Sequence, residues 1–154
     1  MNTQHAFAKI NLCLDVLGKR KDGYHDVRTI MHSIALGDTI SIVQTAGRGV
    51  KFICDTPYLP SDDRNNAVKA VKLFIAAAGL SHDFRLTRLN IHCIKRIPVC
   101  GGLGGSSSDA AAVLRLMNRT CGYPFTTKQL AAMSHTLGSD VPFGVIGGCA
   151  LCEG

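Results

Sequence analysis

Residues 97–112, IPVCGGLGGSSSDAAA, decide how this chain is read. Glycines 101, 102, 104 and 105 lead directly into Ser106, Ser107 and Ser108 and then into an apolar run from Ala110 to Met117. Glycine lets main-chain N–H groups approach an anion in conformations closed to other residues. Serine is a favoured N-cap, so the three serines are expected to open a helix containing 110–117. A helix start carries partial positive charge and unpaired N–H groups, and loop and helix together make an anion site suited to phosphate. A flexible linker would share the composition, but such linkers seldom run from a strand into a strong helix former. The segment lacks the lysine of the GxxxxGK[ST] loop and the GxGxxG spacing of dinucleotide folds, so another type of phosphate loop is required.

Outward from the loop, residues 89–94 read as the strand that delivers the chain to it. Apolar residues alternate at 10, 12, 14 and 16, which puts Lys9, Asn11, Cys13 and Asp15 on one face of a strand. Residues 26–35 and 39–43 read as further strands separated by a Gly37-Asp38 turn, and 50–54 as another, together implying an antiparallel meander. Residues 55–64, with Pro57 and Pro60, form a loop before a helix over 65–78 that ends at Gly79. Thr126 and Gln129 make a capping box for a helix to about His135. Residues 149–152, Cys-Ala-Leu-Cys, read as a buried strand.

Composition narrows the class. With 154 residues, 46% of them hydrophobic, the chain suits one domain with a real core. No apolar run approaches membrane-spanning length, and residues 1–5 lack a signal peptide's hydrophobic stretch, so a cytoplasmic protein is expected. Seven scattered cysteines agree with that, and the lone CxxC at Cys149 and Cys152 has no second pair to complete a metal site; no metal ligand set is expected. The net charge of +6 invites a nucleic-acid partner, helped by Lys19-Arg20-Lys21, but that run lies between Gly18 and Gly23, where a solvated hairpin tip explains it. No aromatic interleaves with it as a single-strand binder would want. The basic balance equally suits a polyanionic small molecule, and neither nucleic acid nor membrane is expected as a partner.

The run Pro98-x-x-x-Gly102-Leu103-Gly104-Gly105-Ser106-Ser107 resembles the ATP loop of the GHMP kinase superfamily of small-molecule kinases. Two further segments narrow the resemblance to a branch that phosphorylates a cytidine diphosphate ester of a small polyol: Ala8-Lys9-Ile10-Asn11-Leu12 with Asp22-Gly23-Tyr24-His25, and Leu137-Gly138-Ser139-Asp140-Val141-Pro142-Phe143. Cys100 stands where the family usually has a glycine or another small residue, and Ser106 where a third consecutive glycine is common, both reducing backbone freedom.

The resemblance implies an α+β fold: a two-layer domain with a mixed, mostly antiparallel sheet and helices packed on it, also found in ribosomal proteins. It implies that residues 1–154 are the N-terminal ATP-binding domain of a protein nearly twice as long, whose C-terminal domain is absent from this chain. ATP is the implied phosphoryl donor, accompanied by Mg2+. The main chain of Pro98, Val99, Cys100, Gly101, Gly102, Leu103, Gly104, Gly105, Ser106, Ser107 and Ser108 would hold it, with Asn65 and Lys95 on the adenosine side. Asp109 is expected to support the helix rather than the phosphates.

Asp140 precedes a Pro-containing helix start and by itself reads as an N-cap; Lys9 by itself reads as a surface lysine. The resemblance makes Asp140 the carboxylate that orients or deprotonates the acceptor hydroxyl, with Lys9 beside it and the transferring phosphate. Tyr24 would stack on the cytosine, His25 would bond its edge, and Asn11 would help place the acceptor. Three other readings stand beside this one: a catalytically silent nucleotide-binding domain, a GHMP kinase for a different alcohol, and an RNA-binding protein.

Overall fold

A computed structural model describes residues 3–21, 23, 25–81, 84 and 87–153. Tyr24 and Asp22, two of the four residues of the Asp-Gly-Tyr-His segment, lie outside the described residues. Among the described residues, five strands and four α-helices follow in the order β1 (Thr3–Lys19), β2 (His25–Ala46), β3 (Gly49–Cys54), α1 (Asn66–Ala77), β4 (Thr87–Ile94), α2 (Gly105–Thr120), α3 (Thr127–Ser134), α4 (Val141–Ile146) and β5 (Cys149–Glu153). A 3-10 turn, His135–Leu137, joins α3 to the segment before α4. The sheet is mixed and the architecture α+β, as the resemblance implied.

β1 and β2 form a long antiparallel hairpin whose ends meet at Lys19 and His25, so the basic run is a hairpin tip as expected. The expected turn at Gly37-Asp38 is not there. β2 runs unbroken through both residues, with Gly37 opposite Phe7 and Asp38 opposite Ala6. Glycine serves close approach here: a Cβ on Gly37 would lie 2.9 Å from the Ala6 carbonyl oxygen.

The expected meander is also corrected. The strand order is β1-β2-β4-β3, with β5 pairing to β2, and β3 runs parallel to β4. The reason is the crossover through α1, which returns the chain to the end where β3 began and inserts β4 between β2 and β3. Asn65 caps α1 by accepting from the Ala67 N–H at 2.9 Å, and Gly79 ends it with φ 67°.

The alternation in β1 holds only in part. Lys9 and Asn11 share a face, but a bulge between Asn11 and Cys13 sends Cys13 to the other side, because Asn11 pairs with Met31 and Cys13 with Ile30. Leu12, Leu14 and Val16 are exposed. The strand at 149–152 exists but is not buried: β5 lies along β2 with Leu151 62% exposed.

The helices cover one face of the sheet. Ile40, Phe52, Leu89 and Ile91 from β2, β3 and β4 pack with Val68, Val71 and Phe74 of α1 and Val113, Leu114 and Leu116 of α2. Burial at 89, 91 and 93, with 88, 92 and 94 exposed and 90 half-buried, shows the alternation in β4 that a sheet covered on one face requires. Thr126 and Gln129 form the expected capping box for α3.

The close approach at Gly37 yields a stability prediction. Gly37→Ala should destabilise the chain by about 1–3 kcal/mol, the usual range for overpacking against fixed backbone. Gly18→Ala, whose added Cβ meets nothing within 4 Å, should stay within about 0.5 kcal/mol of wild type. Urea denaturation of both variants checks the difference.

Candidate active site

The phosphate-loop residues form one wall of a cleft of about 410 Å3 that also meets Asn65, Lys95 and Asp140. The loop ends at Gly104, which takes the left-handed conformation (φ 71°, ψ 21°) immediately before α2. This corrects the expectation that serine caps the helix. Gly104 stands at the cap with no side-chain bond, and Ser106, Ser107 and Ser108 are already helical. Ser108 Oγ instead donates to the Phe7 carbonyl at 2.7 Å, tying α2 to β1. The first N–H groups of α2 therefore have neither an intrahelical acceptor nor a side-chain cap, and they border the cleft.

Cys100 has φ 61°, the left-handed region that glycine favours, so the family's small residue there has a backbone reason. Ser106 needs no such freedom, since it lies within α2.

Lys9 reaches under the loop from β1. Its Nζ lies 3.4 Å from Asp140 Oδ2 and donates to Asn11 Oδ1 at 2.7 Å. Asn11 Nδ2 donates to Thr29 Oγ1 at 2.6 Å, and that hydroxyl donates to the Cys13 carbonyl, which fixes the Asn11 amide with its oxygen towards Lys9. The Lys9 N–H also donates to the Leu103 carbonyl at 3.0 Å. A Cβ on Gly104 would stand 3.0 Å from Lys9 Cγ, so a side chain there would crowd the lysine stem. Asp140 occupies the cap position of α4 but makes no capping bond, leaving its carboxylate to Lys9.

A second, buried charge group lies behind the loop. Lys95 Nζ donates to Asp38 Oδ2 and to Asp109 Oδ2, the latter at 2.7 Å, with the lysine side chain 7% exposed. Asp38 Oδ1 also accepts the consecutive main-chain N–H groups of Arg96 and Ile97. Asp109 is thus bound into an ion network, not the helix-end role expected from sequence. Burial pushes the Asp109 carboxyl up to about 7 despite Lys95 beside it. Burial also works against the Lys95 ammonium, but Asp109 and Asp38 outweigh it and raise its pKa. Burial, with Asp109 adding to it, pushes the neighbouring Cys93 thiol well above its ordinary range, so it stays neutral.

The structure brings together Lys9, Asn11, Asp140 and the residues from Pro98 to Ser107. Asn65 borders the same cleft, its amide held by the Ala67 N–H and the Pro60 carbonyl. His25 is exposed at the far end of the hairpin, eight residues along β2 from the Ser33 that faces Lys9. Sequence reasoning missed Asp38 and Thr29. The glycine before Asp38 gave it the look of a turn residue and hid it, and nothing local marks Thr29.

Residues 65–150 match the family model described as GHMP kinases N terminal domain. The chain belongs to the GHMP kinase N-terminal domain family. Among curated relatives, it is 45% identical over 149 residues to a 4-diphosphocytidyl-2-C-methyl-D-erythritol kinase of Clostridium botulinum (strain Alaska E43 / Type E3), covering 97% of this chain and 51% of the relative. A protein of the same name from Caldicellulosiruptor saccharolyticus is 42% identical, with 97% and 50% covered. A crystal structure of 4-(cytidine 5'-diphospho)-2C-methyl-D-erythritol kinase superposes with a TM-score of 0.78 at 36% identity, over 99% of this chain and 52% of that one. The mevalonate kinase of Methanococcus jannaschii, 15% identical with a TM-score of 0.74 over 98% of this chain and 53% of its own, shares the fold. The chain spans about half the length of the relatives it matches.

The raised Asp109 carboxyl gives a pH prediction. Its folded pKa exceeds the ordinary 3.8, so between roughly pH 4 and 7 the native state holds a proton that the unfolded chain has released. Stability from this group therefore falls as pH rises through about 7. Asp109→Asn removes the dependence, and the variant should gain on wild type between pH 5 and pH 8 in thermal denaturation. A gap that does not move with pH would mean the carboxyl is ionised throughout.

Proposed function

We propose that this chain is the nucleotide-binding half of a kinase that transfers the γ-phosphoryl group of ATP to the 2-hydroxyl of 4-diphosphocytidyl-2-C-methyl-D-erythritol, in the non-mevalonate route to isoprenoid precursors. The observation that carries the reading is the Lys9–Asp140 pair beside the uncapped start of α2: an anion site, a cation and an uncommitted carboxylate meet in one cleft. The names of relatives sharing 42–45% of its residues supply the acceptor.

ATP enters as its Mg2+ complex, part of the substrate. The N–H groups from Gly101 to Ser107 and the hydroxyls of Ser106 and Ser107 bind its phosphates, with Asn65 towards the adenosine and Lys95 held behind the loop by Asp38 and Asp109. Asp140 accepts the proton of the acceptor hydroxyl as that oxygen attacks the γ-phosphorus, and the bond to the β-phosphate oxygen breaks to release ADP. Lys9 offsets the negative charge on the transferring group. Asn11, oriented through Thr29, holds the Lys9 ammonium and contacts the acceptor. His25, at the start of β2, and Tyr24 bind the cytidine end, so the acceptor runs from the Lys9–Asp140 pair towards His25.

A C-terminal GHMP domain supplies the second wall of the cleft, a reading supported by the relatives being about twice as long. Among the described residues no helix is long and apolar enough to cross a membrane, which agrees with a cytoplasmic enzyme.

The test is ADP release by this chain joined to the C-terminal half found in its relatives. Asp140→Asn should lower kcat by roughly 10²–10⁴-fold, the usual contribution of a general base, with the KM for ATP little changed. Activity retained by Asp140→Asn would remove the carboxylate from the mechanism. Turnover of alcohols lacking cytidine at the same rate would favour a kinase for another acceptor.

A further inference from the structure

We propose that Asp38 is the positioning residue of the phosphate loop, holding it in its nucleotide-binding shape from inside the sheet without touching the nucleotide. The inference rests on reading the loop as an ATP phosphate site. Asp38 sits in the middle of β2 with no exposed surface, so no ligand reaches it. Its Oδ1 accepts the N–H groups of Arg96 and Ile97, the last residues before the loop begins at Pro98. Its Oδ2 accepts from Lys95 Nζ, and the same ammonium donates to Asp109 in the second turn of α2. One buried carboxylate therefore fixes where the loop leaves β4 and, through one lysine, where it enters the helix.

The loop between these ends needs holding. Cys100, Gly102 and Gly104 all have left-handed backbone, and glycine-rich chain has many other conformations to visit. Its internal restraints are few: the Leu103 carbonyl on the Lys9 N–H, and the Gly101 N–H on the Pro98 carbonyl at 3.4 Å. A loop already in its bound shape loses less freedom when phosphate arrives, and the saving appears as affinity. Asp38 is matched to this task because a carboxylate accepts two adjacent N–H groups and an ammonium at once. An amide at that position would turn an N–H donor towards Lys95.

The test compares Asp38→Asn with wild type in the 154-residue chain, titrating ATP and adenosine by calorimetry and following amide hydrogen exchange at residues 99–105. ATP affinity should fall at least tenfold and adenosine affinity less than twofold, because only ATP uses the loop. Exchange at 99–105 should accelerate at least tenfold, while α3 stays unchanged. ATP affinity within twofold of wild type, an equal loss for adenosine, or unchanged loop exchange would overturn the proposal. If Asp38→Asn does not fold, Asp109→Ala removes the acceptor for Lys95 on α2 and cuts the link to the helix alone. It should then speed exchange at 99–105 and weaken ATP more than adenosine, and no change in exchange would count against the clamp. A wild-type chain that binds no ATP would defeat the nucleotide reading, while the exchange data would still decide the role of Asp38.

Discussion

An α-helix whose first N–H groups have neither an intrahelical acceptor nor a capping side chain is the constraint around which this domain is arranged. Such a helix start carries partial positive charge, and here two lysines stand near it as well. Three carboxylates balance them, in two different ways. Asp38 and Asp109 neutralise Lys95 in a buried position behind the loop. Asp140 meets Lys9 at a longer distance and with more of its surface in the cleft. The inner pair set is permanent architecture. The outer pair is the more open of the two, and both of its side chains keep accessible surface.

Much of the site was legible because its chemistry is written in contiguous residues. The Gly/Ser run reads as an anion loop by itself, and periodicity puts Lys9 and Asn11 on one face, whereas Lys9 and Asp140 carried expected roles only through the family resemblance of the short segments around them. The errors arose where the deciding contact was distant. Gly37-Asp38 has the composition of a turn, and only the nearness of Ala6 and the N–H groups some 57–59 residues downstream keep it in a strand. β3 looked like the next strand of a meander because local pattern carries no information about direction, which α1 sets by crossing the sheet. The serines looked like caps, but a left-handed glycine had already begun the helix and left their hydroxyls for other partners. The bulge after Asn11 has no composition signal, and it alone decides that Cys13 leaves the face shared by Lys9 and Asn11.

The hairpin extends beyond the helices that cover the rest of the sheet. Leu12, Leu14, Val16 and Leu151 are apolar and exposed, while Ala6, Ala8 and Ile40 are fully enclosed. The sheet thus divides along β1 and β2 into a packed base that carries the loop and an open arm that reaches to His25. The base holds Lys9, Asp140 and the start of α2 close together.

The separation in sequence between Asp38 and the residues it holds also sets an order of assembly. The β1–β2 hairpin and the β3–α1–β4 crossover each rest on contacts between neighbouring segments, which close early and cheaply. The carboxylate of the first unit meets the N–H groups of the second only once β4 has docked on β2. A chain emerging from synthesis would therefore hold both halves of its scaffold before it held a phosphate loop, and competence to bind a ligand would signal that docking is complete.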